Sequence, residues 1–116
     1  MEVTIFHNPR CSKSRQTLAL LRERGIEPRV VAYLDDPPDE PTLRDLLRRL
    51  GLLARDLVRA GEAEYEALGL GAAGVGEDAL IRAMAAHPRL IQRPIVVAGD
   101  RARLGRPPEA VLEILG

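Results

Sequence analysis

Cys11 is the only cysteine in this 116-residue chain, and its neighbours are polar. Arg10 precedes it, Ser12, Lys13, Ser14 and Arg15 follow, and His7 stands four residues before it. A structural cysteine is normally packed among apolar side chains, whereas cationic and hydroxyl neighbours suit a reactive thiol. A thiol attacks as its thiolate, and at the free-thiol pKa of about 8.5 only about 3% is ionised at pH 7. Two features of this segment favour the ionised form. A helix starting after Cys11 would offer unpaired N–H groups and a partial positive charge. Arg10, Lys13, Arg15 and His7 would add positive potential. The same amides, those of Lys13, Ser14 and Arg15, can surround an oxyanion beside the sulfur. One short segment would then supply both a nucleophile and a cradle for an anionic substrate. The residue three on from Cys11 is Ser14, so a disulfide step needs a thiol from another molecule. Asn8 suits the turn before the helix, and Ser14 suits a cap.

The surrounding elements place Cys11 where such chemistry occurs. Val3–Phe6 is β-branched and aromatic and reads as a strand. Ser12–Arg24 has helical spacing, with Leu18, Leu21 and Ser14 toward one face and Gly25 as a stop. Val30–Tyr33 reads as a second strand. Strand, helix and strand make a βαβ unit with parallel strands. Its nucleophile sits at the carboxyl edge of the first strand, where open α/β sheets bind ligands. Asp36–Pro41 breaks the chain. Leu43, Leu46, Leu47 and Leu50 then form the apolar stripe of a helix ended by Gly51. Shorter helices are predicted over Ala54–Ala60 and Glu62–Leu68, a loop over Gly69–Gly76, and a helix over Glu77–Ala86 with Leu80, Ile81 and Met84 inward. Pro94–Ala98 and Arg101–Leu104 read as a hairpin turning at Gly99-Asp100. Pro107–Leu115 reads as a closing helix. The order is β-α-β, a helical middle, then β-β-α. It predicts a thioredoxin-like α/β domain over residues 1–116, with a four-stranded mixed sheet and a helical insertion at about 39–90.

Composition removes several alternatives. Lys plus Arg and Asp plus Glu balance at 17 each, so no basic excess points to nucleic acid. No apolar run approaches the roughly 20 residues of a membrane span. The Met1–Thr4 start lacks the basic and apolar segments of a signal peptide. A free thiol without an export signal is expected in the reducing cytoplasm. No metal site and no bound cofactor are expected, and the balanced charge favours a monomer.

The segment His7-Asn8-Pro9-Arg10-Cys11-Ser12-Lys13-Ser14-Arg15-Gln16-Thr17-Leu18 resembles the active-site segment of the glutathione- and glutaredoxin-dependent arsenate reductases, the ArsC/Spx-type branch of thioredoxin-like proteins. Further blocks resemble that family in the same order. They are Tyr33-Leu34 with Pro37-Pro38, Leu57-Val58-Arg59 before Tyr65–Leu70, His87-Pro88 with Leu90–Val97, and Arg103–Pro107. The resemblance implies that Cys11 attacks arsenate and forms an adduct that glutathione and glutaredoxin resolve. It implies that Arg59, Arg93 and Arg106 bind the oxyanion and stabilise the thiolate, and that His7 keeps the Cys11 pKa low. It also places Pro94 at the cis-proline of thioredoxin-like folds. Gly105 stands where some members carry a second cysteine.

The expected activity is therefore arsenate reduction, with arsenate or a related oxyanion as substrate and glutathione as co-substrate. Arginine suits this role because its planar fork binds oxyanions bidentately and never loses its charge. Two alternatives share the scaffold. A glutathione-dependent thiol reductase or transferase would not need three oxyanion-binding arginines. An Spx-like regulator binding RNA polymerase normally carries a Cys-x-x-Cys switch, and Ser14 replaces the second cysteine.

Overall fold

The computed structural model describes residues 2–115. By its internal contacts the chain forms two compact units: residues 1–36 with 93–116, and residues 37–92.

The first unit is built on a sheet. β1 (Val3–His7) pairs in parallel with β2 (Arg29–Ala32) and antiparallel with β3 (Ile95–Ala98), which pairs antiparallel with β4 (Arg101–Leu104). The strand order is β2-β1-β3-β4, the mixed four-stranded sheet expected. β1 is central, and its alternation buries Val3, Ile5 and His7. β2 is an edge strand, and most of its residues are exposed. It ends one residue earlier than its apolar run, because the amides of Asp35 and Asp36 both donate to the Ala32 carbonyl at 2.9 Å and turn Tyr33 out of the ladder. α1 (Ser12–Glu23) connects β1 to β2 and buries Ser14, Thr17 and Leu21. Gly25 follows it at φ 77°, a conformation in which glycine has no Cβ to clash. The core joins Val3, Ile5, Leu21, Val96, Ala98, Val111 and Ile114. The closing segment Pro108–Ile114 is a 3₁₀ helix where an α-helix was expected. Its bonds span three residues, from Ala110 N–H to the Pro107 carbonyl and from Leu115 N–H to the Leu112 carbonyl.

The second unit is helical. α2 (Glu40–Leu50) buries Leu43, Leu46 and Leu47 and touches α5 (Glu77–Ala86), which buries Leu80, Ile81 and Met84. Asp39 caps α2 by accepting the Thr42 N–H at 2.9 Å, and Gly51 closes it at φ 69°. α3 spans only Ala54–Leu57, shorter than the helix expected to Ala60. Pairing with a later segment stops it. Val58 bridges Ile91, Arg59 N–H donates to the Leu90 carbonyl at 2.7 Å, and Gln92 N–H donates to the Leu57 carbonyl at 2.9 Å. α4 (Ala63–Ala67) and a 3₁₀ turn (Pro88–Leu90) complete the unit. Among the described residues, no helix is long and apolar enough to cross a membrane.

Candidate active site

Cys11 is the N-cap of α1, with extended backbone at φ −95° and ψ 122°. A turn holds it there. Its N–H donates to the Asn8 carbonyl at 3.0 Å, and the Arg10 N–H donates to Asn8 Oδ1 at 3.0 Å. Arg15 fastens the same turn, donating from Nη1 to the Pro9 carbonyl at 2.8 Å. With its backbone fixed, the half-buried Cys11 thiol faces the first turn of α1. Burial pushes its pKa up. Hydrogen bonds from the Ser14 amide, the Arg93 guanidinium and the Lys13 amide, with the Arg93 charge, outweigh that and leave the pKa below the ordinary thiol value. Arg106 adds a second guanidinium, with Nη2 at 3.9 Å from Cys11 Sγ. Its Nε donates to the Arg93 carbonyl at 2.9 Å, so the two arginines are tied together at the backbone. The Arg93–Pro94 bond between them and β3 is cis, as the resemblance implied, and so is Arg106–Pro107.

The expected oxyanion cradle needs one correction. The Lys13 and Ser14 amides reach the sulfur, but the Arg15 amide does not belong to the cradle. It donates to the Cys11 carbonyl at 3.0 Å, the first regular bond of the helix. The Arg15 side chain serves the Pro9 carbonyl instead.

His7 also departs from expectation. It is buried, and Nδ1 lies 2.6 Å from Ser14 Oγ, which accepts the Asn8 N–H at 3.0 Å. Desolvation lowers the His7 pKa, and the charges of Arg22 and Arg15 lower it further. The ring is therefore neutral at neutral pH and adds no positive potential there. It contacts Ser14, whose hydroxyl joins His7 and Asn8 while its amide serves the sulfur.

Thr17 has a structural part that sequence reasoning missed. It is fully buried, and Oγ1 donates to the Lys13 carbonyl at 2.8 Å, bracing the first turn of α1. Its four-residue spacing from Lys13 was the available signal. Gly105 packs against this brace. A Cβ there would fall 2.7 Å from Pro94 Cγ and closer still to Thr17 Oγ1. Position 105 therefore has no room for a side chain without local movement.

The first unit thus brings together Cys11, the Lys13 and Ser14 amides, Arg93 and Arg106. Arg59 belongs to the second unit, where it follows the Val58–Ile91 bridge and lies 3.5 Å from Glu62 through Nε.

Residues 6–114 match the ArsC family. The chain is 58% identical to the uncharacterized protein YfgD of Escherichia coli (strain K12), over 99% of this chain and 98% of that one. It is 51% identical to an arsenate reductase of Neisseria meningitidis serogroup A, over 98% of each chain. Among solved structures, the arsenate reductase from Vibrio cholerae superposes with a TM-score of 0.97 at 53% identity, covering 99% of this chain and 98% of that one.

Proposed function

The chain belongs to the ArsC family, and from that premise we propose that it is an arsenate reductase with Cys11 as nucleophile. The observation that carries this reading is the Cys11 sulfur held by two helix amides and the Arg93 guanidinium, with Arg106 Nη2 at 3.9 Å. These groups favour a thiolate, and they are fixed donors for the oxygens of a bound dianion.

The Cys11 thiolate attacks arsenic(V), and an arsenate oxygen leaves as water, giving a Cys11–S–As bond. The sulfur of glutathione then attacks Cys11 Sγ. The S–As bond breaks with its electron pair on arsenic, so arsenic falls from (V) to (III) and leaves as arsenite. The two sulfurs supply those electrons and become a Cys11–glutathione disulfide. Glutaredoxin removes the glutathione by thiol exchange and restores Cys11. Arg93 and Arg106 bind the oxyanion throughout. Phosphate would meet the same donors, but its attack by a thiol leads to no reduced product, so chemistry enforces the selection. No cofactor is bound. The enzyme acts as a monomer in the reducing cytoplasm, where glutathione is abundant.

A thiol transferase on this scaffold would need the thiolate but not converging guanidinium groups, which favours the oxyanion reading. A cysteine-pair switch is disfavoured because the fully buried Ser14 occupies the partner position and is bonded to His7. The deciding experiment is arsenate-dependent NADPH oxidation coupled through glutathione reductase, glutathione and glutaredoxin. Wild type should turn over, and Cys11→Ala should fall to the background rate. A wild-type protein with no arsenate-dependent rate rejects the proposal in favour of the transferase.

A further inference from the structure

Within the first unit, a groove of about 590 Å³ runs along α1, lined by His7, Arg15, Leu18, Ala19, Arg22 and Glu23. That volume falls in the roughly 300–1,000 Å³ range of small-molecule sites. Helical spacing ties the groove to the thiol. Arg15, Leu18 and Arg22 follow Cys11 at i+4, i+7 and i+11, so the four positions share one face of α1. Ser14, Thr17 and Leu21 are buried on the neighbouring face. At 1.5 Å per residue, Arg15 stands about 6 Å and Arg22 about 16 Å along the axis from Cys11. The charges of Arg22 and Arg15 both act on the His7 ring, so both lie within electrostatic range of the residue that ends β1.

The charges of the groove have an order. Near the thiol, Arg15 is held by the bond from Nη1 to the Pro9 carbonyl, and a guanidinium has further N–H groups to give. At the far end, Arg22 and Glu23 set a cation beside an anion. Arg22 also pairs with Glu27 at 3.2 Å, but those side chains are 52% and 74% exposed, and so open a pair is readily exchanged for a ligand. Two guanidinium groups and one carboxylate, with Leu18 and Ala19 between them, complement a ligand of two carboxylates and one ammonium. Glutathione has that charge pattern. Its γ-glutamyl arm, the longer one, ends in a carboxylate and an ammonium on one carbon, which match Arg22 and Glu23. Its shorter glycyl arm ends in a carboxylate alone, which matches Arg15, and its thiol lies between the two arms. We propose that this groove is the glutathione site, with Arg22 and Glu23 taking the γ-glutamyl end and Arg15 the glycyl carboxylate. The proposal rests on the reading of Cys11 as a nucleophile that glutathione resolves.

S-methylglutathione, which has no free thiol, probes the groove without arsenate. Titrated into the full chain, it should shift the amide signals of residues 15–23 saturably. No saturable shift, or shifts confined to other elements, would overturn the proposal. Arg22→Ala should weaken binding of the probe about fivefold. Arg24→Ala removes the same charge from an exposed residue outside the groove and should stay within about twofold. Equal losses in the two variants would reduce the effect to net charge and overturn the assignment. Glu23→Gln should weaken the probe about threefold yet leave binding of its N-acetyl derivative unchanged, because that derivative has no ammonium. Inorganic phosphate at matched ionic strength should not displace the probe, and displacement would mark a plain anion site and overturn the proposal. In the coupled assay, Arg22→Ala should raise the KM for glutathione about fivefold and leave the KM for arsenate within about twofold. An unchanged glutathione KM overturns the proposal. A wild type inactive on arsenate that still seats the probe on α1 rejects the arsenate reading and keeps the groove, whereas an active enzyme with no probe on α1 rejects the groove alone.

Discussion

At Cys11, desolvation opposes ionisation, and the hydrogen bonds of the Ser14 amide, Arg93 and the Lys13 amide favour it. The balance favours the thiolate, so alkylation by iodoacetamide should rise with pH around a midpoint below that of a free thiol. Arg93→Ala should move the midpoint upward, which a pH series on both proteins checks. The linkage has a definite sign. Because the folded-state pKa is depressed, Cys11 contributes stability above its unfolded pKa and loses it as pH falls through the folded one. Cys11 and its polar flanks were legible in the sequence, because a reactive thiol leaves a local compositional trace. The neutral state of His7 was not, because it depends on burial and on Arg22, fifteen residues away in the chain.

At the scale of elements, the clearest local rule is the start of α2. Asp39 accepts the Thr42 N–H, and hydrogen bonds from the Thr42 hydroxyl and then its amide hold the Asp39 carboxyl below the ordinary aspartate range. Asp39→Ala should lower the melting temperature at neutral pH, and the difference from wild type should shrink as the pH falls through the Asp39 pKa. Thermal melts across an acid series measure this directly. The leucine stripe of α2 and its Gly51 stop were readable because helical period and cap chemistry are local. The early end of α3 was not, because Leu57, Val58 and Arg59 pair with residues 90–92, beyond the reach of any local window. The closing 3₁₀ helix shares its apolar pattern with an α-helix, so spacing alone did not separate the two.

For the molecule as a whole, stability comes from ordinary apolar packing in each unit. Ile5 is fully buried on the central strand and joins the core formed with Leu21, Val96 and Val111. Ile5→Ala should cost about 2–5 kcal/mol, the usual range for a large-to-small change in a packed core. Urea unfolding followed by circular dichroism checks it, and a change well under about 1 kcal/mol would contradict the packing described.

The amino-acid sequence by itself determined the order of the elements, the reactive character of Cys11 and the family pattern, because each is written in residues close together in the chain. Only the tertiary structure decided which donors meet the sulfur. It retained the Lys13 and Ser14 amides, withdrew the Arg15 amide into the helix, and brought Arg93 and Arg106 to one atom. It also paired Arg59 with Glu62. The physical reason is that hydrogen bonds and charge pairs act over a few ångströms in space. Arg106 and Cys11 are 95 residues apart in the chain and become neighbours only when the sheet and the closing turns are formed.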